Sequence, residues 1–167
     1  MGLKNAARAT LPAAIVALVY CIALIVCTGE AIENTDGGLV YPLDDTYIHM
    51  AMAKNLALHG SYGVTPEGFS GSSSSPVWTL LIALSYLIFG VQEWTPLVLA
   101  ALSGLGVIFA LDAFLRTASG NIVIRMIGGA FIAFLIPLVP IVFTGMEHAA
   151  HIMATLMILL YLGRYHR

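Results

Sequence analysis

Long runs of apolar residues constrain this chain more than anything else in it. Leu11–Thr28 is 18 residues without a charged side chain, enough at about 1.5 Å per residue to cross a bilayer as a helix. Further apolar runs follow at Leu97–Leu115, Met126–Phe143 and His148–Leu162, interrupted only by Asp112. A soluble domain carries about 25% charged residues. Here the charged fraction is 10%, the hydrophobic fraction 59% and the mean hydropathy +0.92. The class that fits is an all-α, polytopic membrane protein, read as a single membrane domain over residues 1–167. A cleaved signal peptide is the competing reading of the first run, but that run exceeds the usual h-region of about 7–15 residues. Cys21 and Cys27 both fall inside it and read as small packed hydrophobes, with no second ligand nearby.

Between the first and second runs the composition changes. Glu30–Gly38 (EAIENTDGG) is acidic and turn-rich. Asp44–His59 lacks Gly and Pro and is rich in Ala, Leu and Met, so it predicts a helix that Gly60 ends. Either Asp44 or Asp45 can serve as its N-cap. Its apolar residues are spread around the circumference, which predicts packing on several sides at a membrane surface. Ser61–Ser75 is a loop, and Ser75–Pro76 is a cap and first-turn pair for a second helix over 76–89.

That second helix would be about 21 Å long, short of a hydrocarbon core of roughly 30 Å, and the topology depends on whether it crosses. If it does not, and the N-terminus is cytoplasmic, Lys4, Arg8, Arg116, Arg125, Arg164 and Arg167 all lie inside, with Lys54 alone outside. If it crosses, four of those arginines move outside. The positive-inside rule selects the first arrangement. Four spans result: 11–28, 95–115, 124–143 and 147–162. Residues 29–92 form an external loop bearing helices 44–59 and 76–89. Asp112 should pair with Arg116, four residues on. Pro137 and Pro140 should kink the third span. Glu147 should start the fourth span, where the helix dipole favours an acid, on the same face as Asp44 and Asp45. Tyr47, Trp78, Tyr86 and Trp94 read as membrane-interface anchors.

The chemistry-bearing residues concentrate in the external loop. Two adjacent carboxylates, Asp44 and Asp45, suit general-base removal of a hydroxyl proton. With a third acid they also suit Mg²⁺ or Mn²⁺, for which Asp45, Glu147 and His148 are the candidate ligands. His49, Lys54, His59 and Ser74 are candidate substrate-binding residues. For the histidines a packed or interfacial role competes with a functional one, and for the acids a plain helix-start role does. No repeat, phosphate-binding glycine loop, nucleophilic triad or nucleic-acid motif is present, so no nucleic-acid partner is expected.

The order of these parts is informative. A basic N-terminus and one span precede Pro42 and Leu43, and DDTYIHMAMAKNLALHG follows at Asp44–Gly60. GFSGSSSSPVWTLL comes next at Gly68–Leu81, and TGMEH lies at Thr144–His148. Together these parts resemble the GT-C superfamily of integral-membrane glycosyltransferases, above all arabinofuranosyltransferase and protein mannosyltransferase-like members. The resemblance implies that Asp44 and Asp45 stand for the catalytic acidic pair of the first external loop, and Glu147 for the acid of the second. It implies a sugar donor on a polyprenyl phosphate and an acceptor hydroxyl glycosylated on the external face of the plasma (inner) membrane. Family members carry a module of about seven spans, so a chain supplying the missing spans is an expected partner, besides membrane lipids. The competing reading is a non-catalytic membrane subunit or pseudoenzyme that binds a lipid-linked sugar or a partner transferase.

Overall fold

The computed structural model describes residues 3–35, 37–135 and 137–165, without the side chains of 3–9, Ile132, Ala133, Leu135 and Arg164. Asp36, Arg167 and the side chains of Lys4, Arg8 and Arg164, on which part of the topology expectation draws, therefore lie outside the described residues. Seven helices make up the described chain, with no strand: α1 (Leu3–Glu33), α2 (Asp44–His59), α3 (Pro76–Phe89), α4 (Thr95–Ala118), α5 (Ile122–Leu135), α6 (Leu138–Phe143) and α7 (His148–Tyr165).

Two of these are long and apolar enough to cross a membrane, Thr10–Glu33 within α1 and Thr95–Ala118, rather than the four expected. The expected third span is broken between Leu135 and Leu138. Pro137 lacks an N–H and takes φ −67, ψ 70, off the helical path, so the break is complete instead of a kink. The apolar part of the expected fourth span, His148–Gly163, and α3 are shorter than a full crossing. At the other end of the chain α1 runs beyond Thr28 to Glu33. Asn34 Nδ2 and Thr35 Oγ1 then donate to the carbonyls of Glu30 and Ala31, both at 2.8 Å, and close its last turn.

α2 and α3 have the bounds that their sequence signals give. Gly60 adopts φ +69 and donates its N–H to the Leu56 carbonyl, the left-handed stop that a side chain with Cβ disfavours. The packing of α2 differs from expectation. Its buried residues are Thr46, His49, Met52, Ala53 and Asn55, on one side of the helix, while Tyr47 and Leu58 are exposed. Three of those five are polar. A hydrophobic pattern therefore cannot reveal the face, because the face is built on hydrogen bonds.

α4 packs along α7, α1 against α5, and α2 against α3. Tyr20, Trp78, Ile82, Ala100, Val107 and Val142 are buried in the shared core. Trp78 and Tyr86, expected at a membrane interface, are 2% and 4% exposed and belong to this core; Tyr47 and Trp94 are exposed at 41% and 45%.

Candidate functional site

The turn between α6 and α7, Thr144–Glu147, is fastened to α2 and α3 by three contacts. Thr46 Oγ1 donates to the Thr144 carbonyl at 2.6 Å, and Trp78 Nε1 donates to the Gly145 carbonyl at 3.0 Å. Gly145, at φ +70, lies flat against Tyr41: a Cβ there would meet Tyr41 Cε1 at 2.6 Å and Thr46 Cγ2 at 2.9 Å. Only glycine satisfies both the left-handed backbone and the close approach. Tyr41 is itself fixed, its hydroxyl donating to the Glu93 carbonyl at 2.7 Å and accepting from the Leu97 N–H at 3.2 Å. Its backbone N–H donates to Tyr47 Oη at 2.8 Å. Both polar anchors of the turn are buried, so each bond replaces a desolvated carbonyl that would otherwise cost about 1–3 kcal/mol.

This fastening delivers Glu147 to α2. Its backbone carbonyl accepts from the His151 N–H at 3.0 Å, so Glu147 occupies the cap position of α7. The side chain turns inward and is 7% exposed, and Oε2 has no hydrogen-bond partner among the described residues. The nearest cation-forming group is His49 Nε2, at 4.0 Å.

His49 is the hub of the cluster. It is 1% exposed, with Nδ1 2.8 Å from Thr79 Oγ1 and 3.2 Å from Ser73 Oγ. These two hydroxyls stand 2.9 Å apart, and Ser74 Oγ lies 3.3 Å from Nε2. One imidazole thereby ties the serine run of the 61–75 loop to α3. Burial pushes the pKa of His49 below its ordinary 6.5, against the opposing pull of Glu147 and then Asp45. A 4.0 Å separation exceeds hydrogen-bond length. Distance and burial agree: at neutral pH His49 is an uncharged imidazole beside Glu147, not half of a formed ion pair.

Asp44 and Asp45 lie in the first turn of α2, where the helix dipole favours acids. The cap position belongs to Leu43, and neither carboxylate makes a capping bond. Capping is thus removed as the reason for this pair. Both are exposed, and Asp45 stands close enough to His49 to act on its charge.

No family model, curated protein or solved structure matches this chain.

Of the residues singled out from sequence, the fold gathers His49, Ser74 and Glu147, with Asp45 beside them. Lys54, His59 and His148 are exposed. Among the described residues no three of His, Cys, Asp or Glu stand close enough together to hold a metal ion. A set so sparse suits Mg²⁺ or Mn²⁺ only where substrate phosphate supplies the remaining oxygens. Tyr41, Thr46, Ser73, Trp78, Thr79 and Gly145 also build the site and carry no sequence signal for it. Gly145 alone has a readable feature, as a glycine between two apolar helical runs.

Proposed function

We propose that this chain carries the catalytic loop of a GT-C type membrane glycosyltransferase, which moves a sugar from a polyprenyl-phosphate donor to an acceptor hydroxyl. An aspartate of the Asp44–Asp45 pair takes the proton of the acceptor hydroxyl. The freed oxygen attacks the anomeric carbon, the sugar–phosphate C–O bond breaks, and the polyprenyl phosphate leaves with the bonding electrons, inverting the anomeric centre. Glu147 receives a hydrogen bond from the bound sugar.

The observation that carries this reading is the buried Glu147 carboxylate, whose Oε2 has no hydrogen-bond partner among the described residues, delivered from the α6–α7 turn to the helix that bears Asp44 and Asp45. An unpaired buried carboxylate is costly, and a bound donor group would offset that cost. Two apolar grooves add support for a lipid-linked donor. They flank Trp94 at the α1–α4 and α3–α4 junctions, with volumes of about 420 and 400 Å³. Trp94 adjoins Glu93, whose carbonyl accepts from the Tyr41 hydroxyl, and Tyr41 packs on Gly145. In this reading the broken α5–α6 pair and α7 also cross the plasma membrane, giving four spans with the acidic loop outside.

Two experiments test it. Asp45→Asn and Glu147→Gln should each lower sugar transfer from a polyprenyl-phosphate donor by about 10²–10⁴-fold in membranes, with insertion unchanged. Near-normal turnover in both variants rejects the catalytic assignment, and donor binding without transfer by the unmodified chain leaves a non-catalytic lipid-sugar binder. For topology, with Cys21 and Cys27 replaced, a cysteine at position 70 should react from outside intact cells, and one at 119 only after permeabilisation. Labelling of both from one side rejects the four-span arrangement.

A further inference from the structure

The 61–75 loop holds one aromatic ring out into solvent and leads from it to the candidate site. Phe69 is 81% exposed. It packs in an offset stack on Tyr62, with ring centroids 6.0 Å apart and planes at 25°, and the rest of the ring is open. The loop beneath is built to keep it there. Asn55 Nδ2, from the buried side of α2, donates to the carbonyls of Gly63 and Val64 at 2.9 and 2.8 Å. The Ser70 N–H donates to the Tyr62 carbonyl at 2.9 Å, and Ser61 Oγ donates to the Gly68 carbonyl at 3.2 Å. Gly63 is pressed so closely on the Gly68 carbonyl that no Cβ fits between them. The backbone on both sides of the ring is therefore held before anything binds to it.

Beyond Phe69 the chain runs Ser70, Gly71, Ser72, Ser73, Ser74. Ser72 and Ser74 are exposed; Ser70 and Ser72 share a hydroxyl–hydroxyl bond, which leaves further lone pairs to outside donors, and Ser74 reaches His49 beside Glu147. Five residues span at most about 17 Å, so an aromatic face and a row of hydroxyls lie within one short reach of the Glu147 carboxylate. This combination matches the two-sided chemistry of a sugar: its C–H face is electropositive and suits the negative face of an aromatic ring, and its hydroxyls suit Ser side chains. A lipid surface fits less well. Glu67, two residues from Phe69, is exposed, and drawing it into the hydrocarbon with the ring would be expensive.

We propose that Tyr62–Phe69 is a stacking platform for a saccharide, and that the acceptor of the transfer reaction is an oligosaccharide laid along Ser70–Ser74 with its reacting hydroxyl at the Glu147 end. The assignment of the acceptor rests on the transfer reading; the platform itself does not. Saturation-transfer difference NMR on the full chain in nanodiscs tests it without any donor, using mannotriose, maltotriose and xylotriose as probes, since stacking on a C–H face tolerates changes of sugar. Saturation should reach ring C–H protons. Phe69→Ala should weaken binding about 3- to 10-fold, while Phe69→Trp restores it. Glu147→Gln should retain platform binding while losing transfer, so a failed transferase with an intact Phe69 effect rejects only the reaction. Absence of saturation transfer from all three sugars, or equal binding by Phe69→Ala, overturns the platform. So does quenching of the Phe69→Trp emission by nitroxide-labelled lipids, which would make the ring a membrane anchor.

Discussion

Among the described residues two carboxylates are buried, and they are treated in opposite ways. Asp112, 4% exposed near the end of α4, is fully paired. Arg125 approaches it through Nε and Nη2 at 2.7–2.9 Å, and Arg116 reaches it from one turn on at 2.9 Å. Glu147, 7% exposed, has one oxygen with no partner and a histidine that burial keeps uncharged. The two lie at opposite ends of the bundle. Leu97, at the start of α4, bonds Tyr41 beside Gly145, and Asp112 is 15 residues further along the helix, roughly 22 Å. A buried charge with a complete set of partners holds helices together. A buried charge left incomplete in an ordered turn is a cost that a ligand can offset, and the proposed function rests on this difference.

The largest test of that contrast compares substitutions of the two acids. Asp112→Asn removes the charge that Arg116 and the 5%-exposed Arg125 both bond and should cost about 3–5 kcal/mol. Glu147→Gln relieves an incompletely partnered buried charge and should leave stability unchanged or raise it by about 1–3 kcal/mol. Denaturant titration in detergent reads both. Equal and large losses would make Glu147 a second structural charge and break the comparison.

A smaller effect is expected where the turn meets α2. Gly145→Ala forces a side chain into the left-handed region and against Tyr41 and Thr46, for about 1–3 kcal/mol. It should also release the turn, seen as faster amide exchange at Met146 and Glu147 while Arg125 and its neighbours are unaffected. Uniform loosening of both ends would show that the turn is not a separate latch.

The smallest effect is a pH dependence confined to the Glu147 end. His49 faces the carboxylates of Asp45 and Glu147 and the neutral hydroxyls of Ser73, Ser74 and Thr79. Its folded-state pKa is depressed, so the unfolded chain binds the proton more readily. The stability His49 contributes is complete above its ordinary 6.5 and declines as pH falls below it. Amide protection across Ser75–Thr79 should weaken from about pH 7 to about pH 5.5 and become pH-independent in His49→Gln. Persistence of the pH dependence in that variant would assign it to another group.

Much of the local structure is legible in the sequence. Gly60 and Gly90 mark helix ends, Ser75–Pro76 marks a start, and the Asp112–Arg116 spacing anticipates a contact at 2.9 Å. Arg125 as the principal partner of Asp112 is not legible, because it comes from the next helix across a turn. The buried face of α2 is hidden too, since Thr46, His49 and Asn55 are buried through hydrogen bonds that leave no hydrophobic period.

The sequence by itself determined an all-helical, largely apolar chain with an acid-rich, serine-rich connection after its first long helix; of the four spans its apolar runs suggested, two helices are long and apolar enough to cross. Those properties follow from residue-by-residue propensity, charge-free length and the backbone demands of Gly and Pro, all local along the chain. The tertiary structure alone decided which groups meet. It buried Trp78 to hold Gly145 and turned Glu147 inward beside His49. The physical reason is that each meeting depends on a distant partner, 67 residues away for Trp78 with Gly145 and 98 for Thr46 with Thr144. No local pattern encodes such a distance.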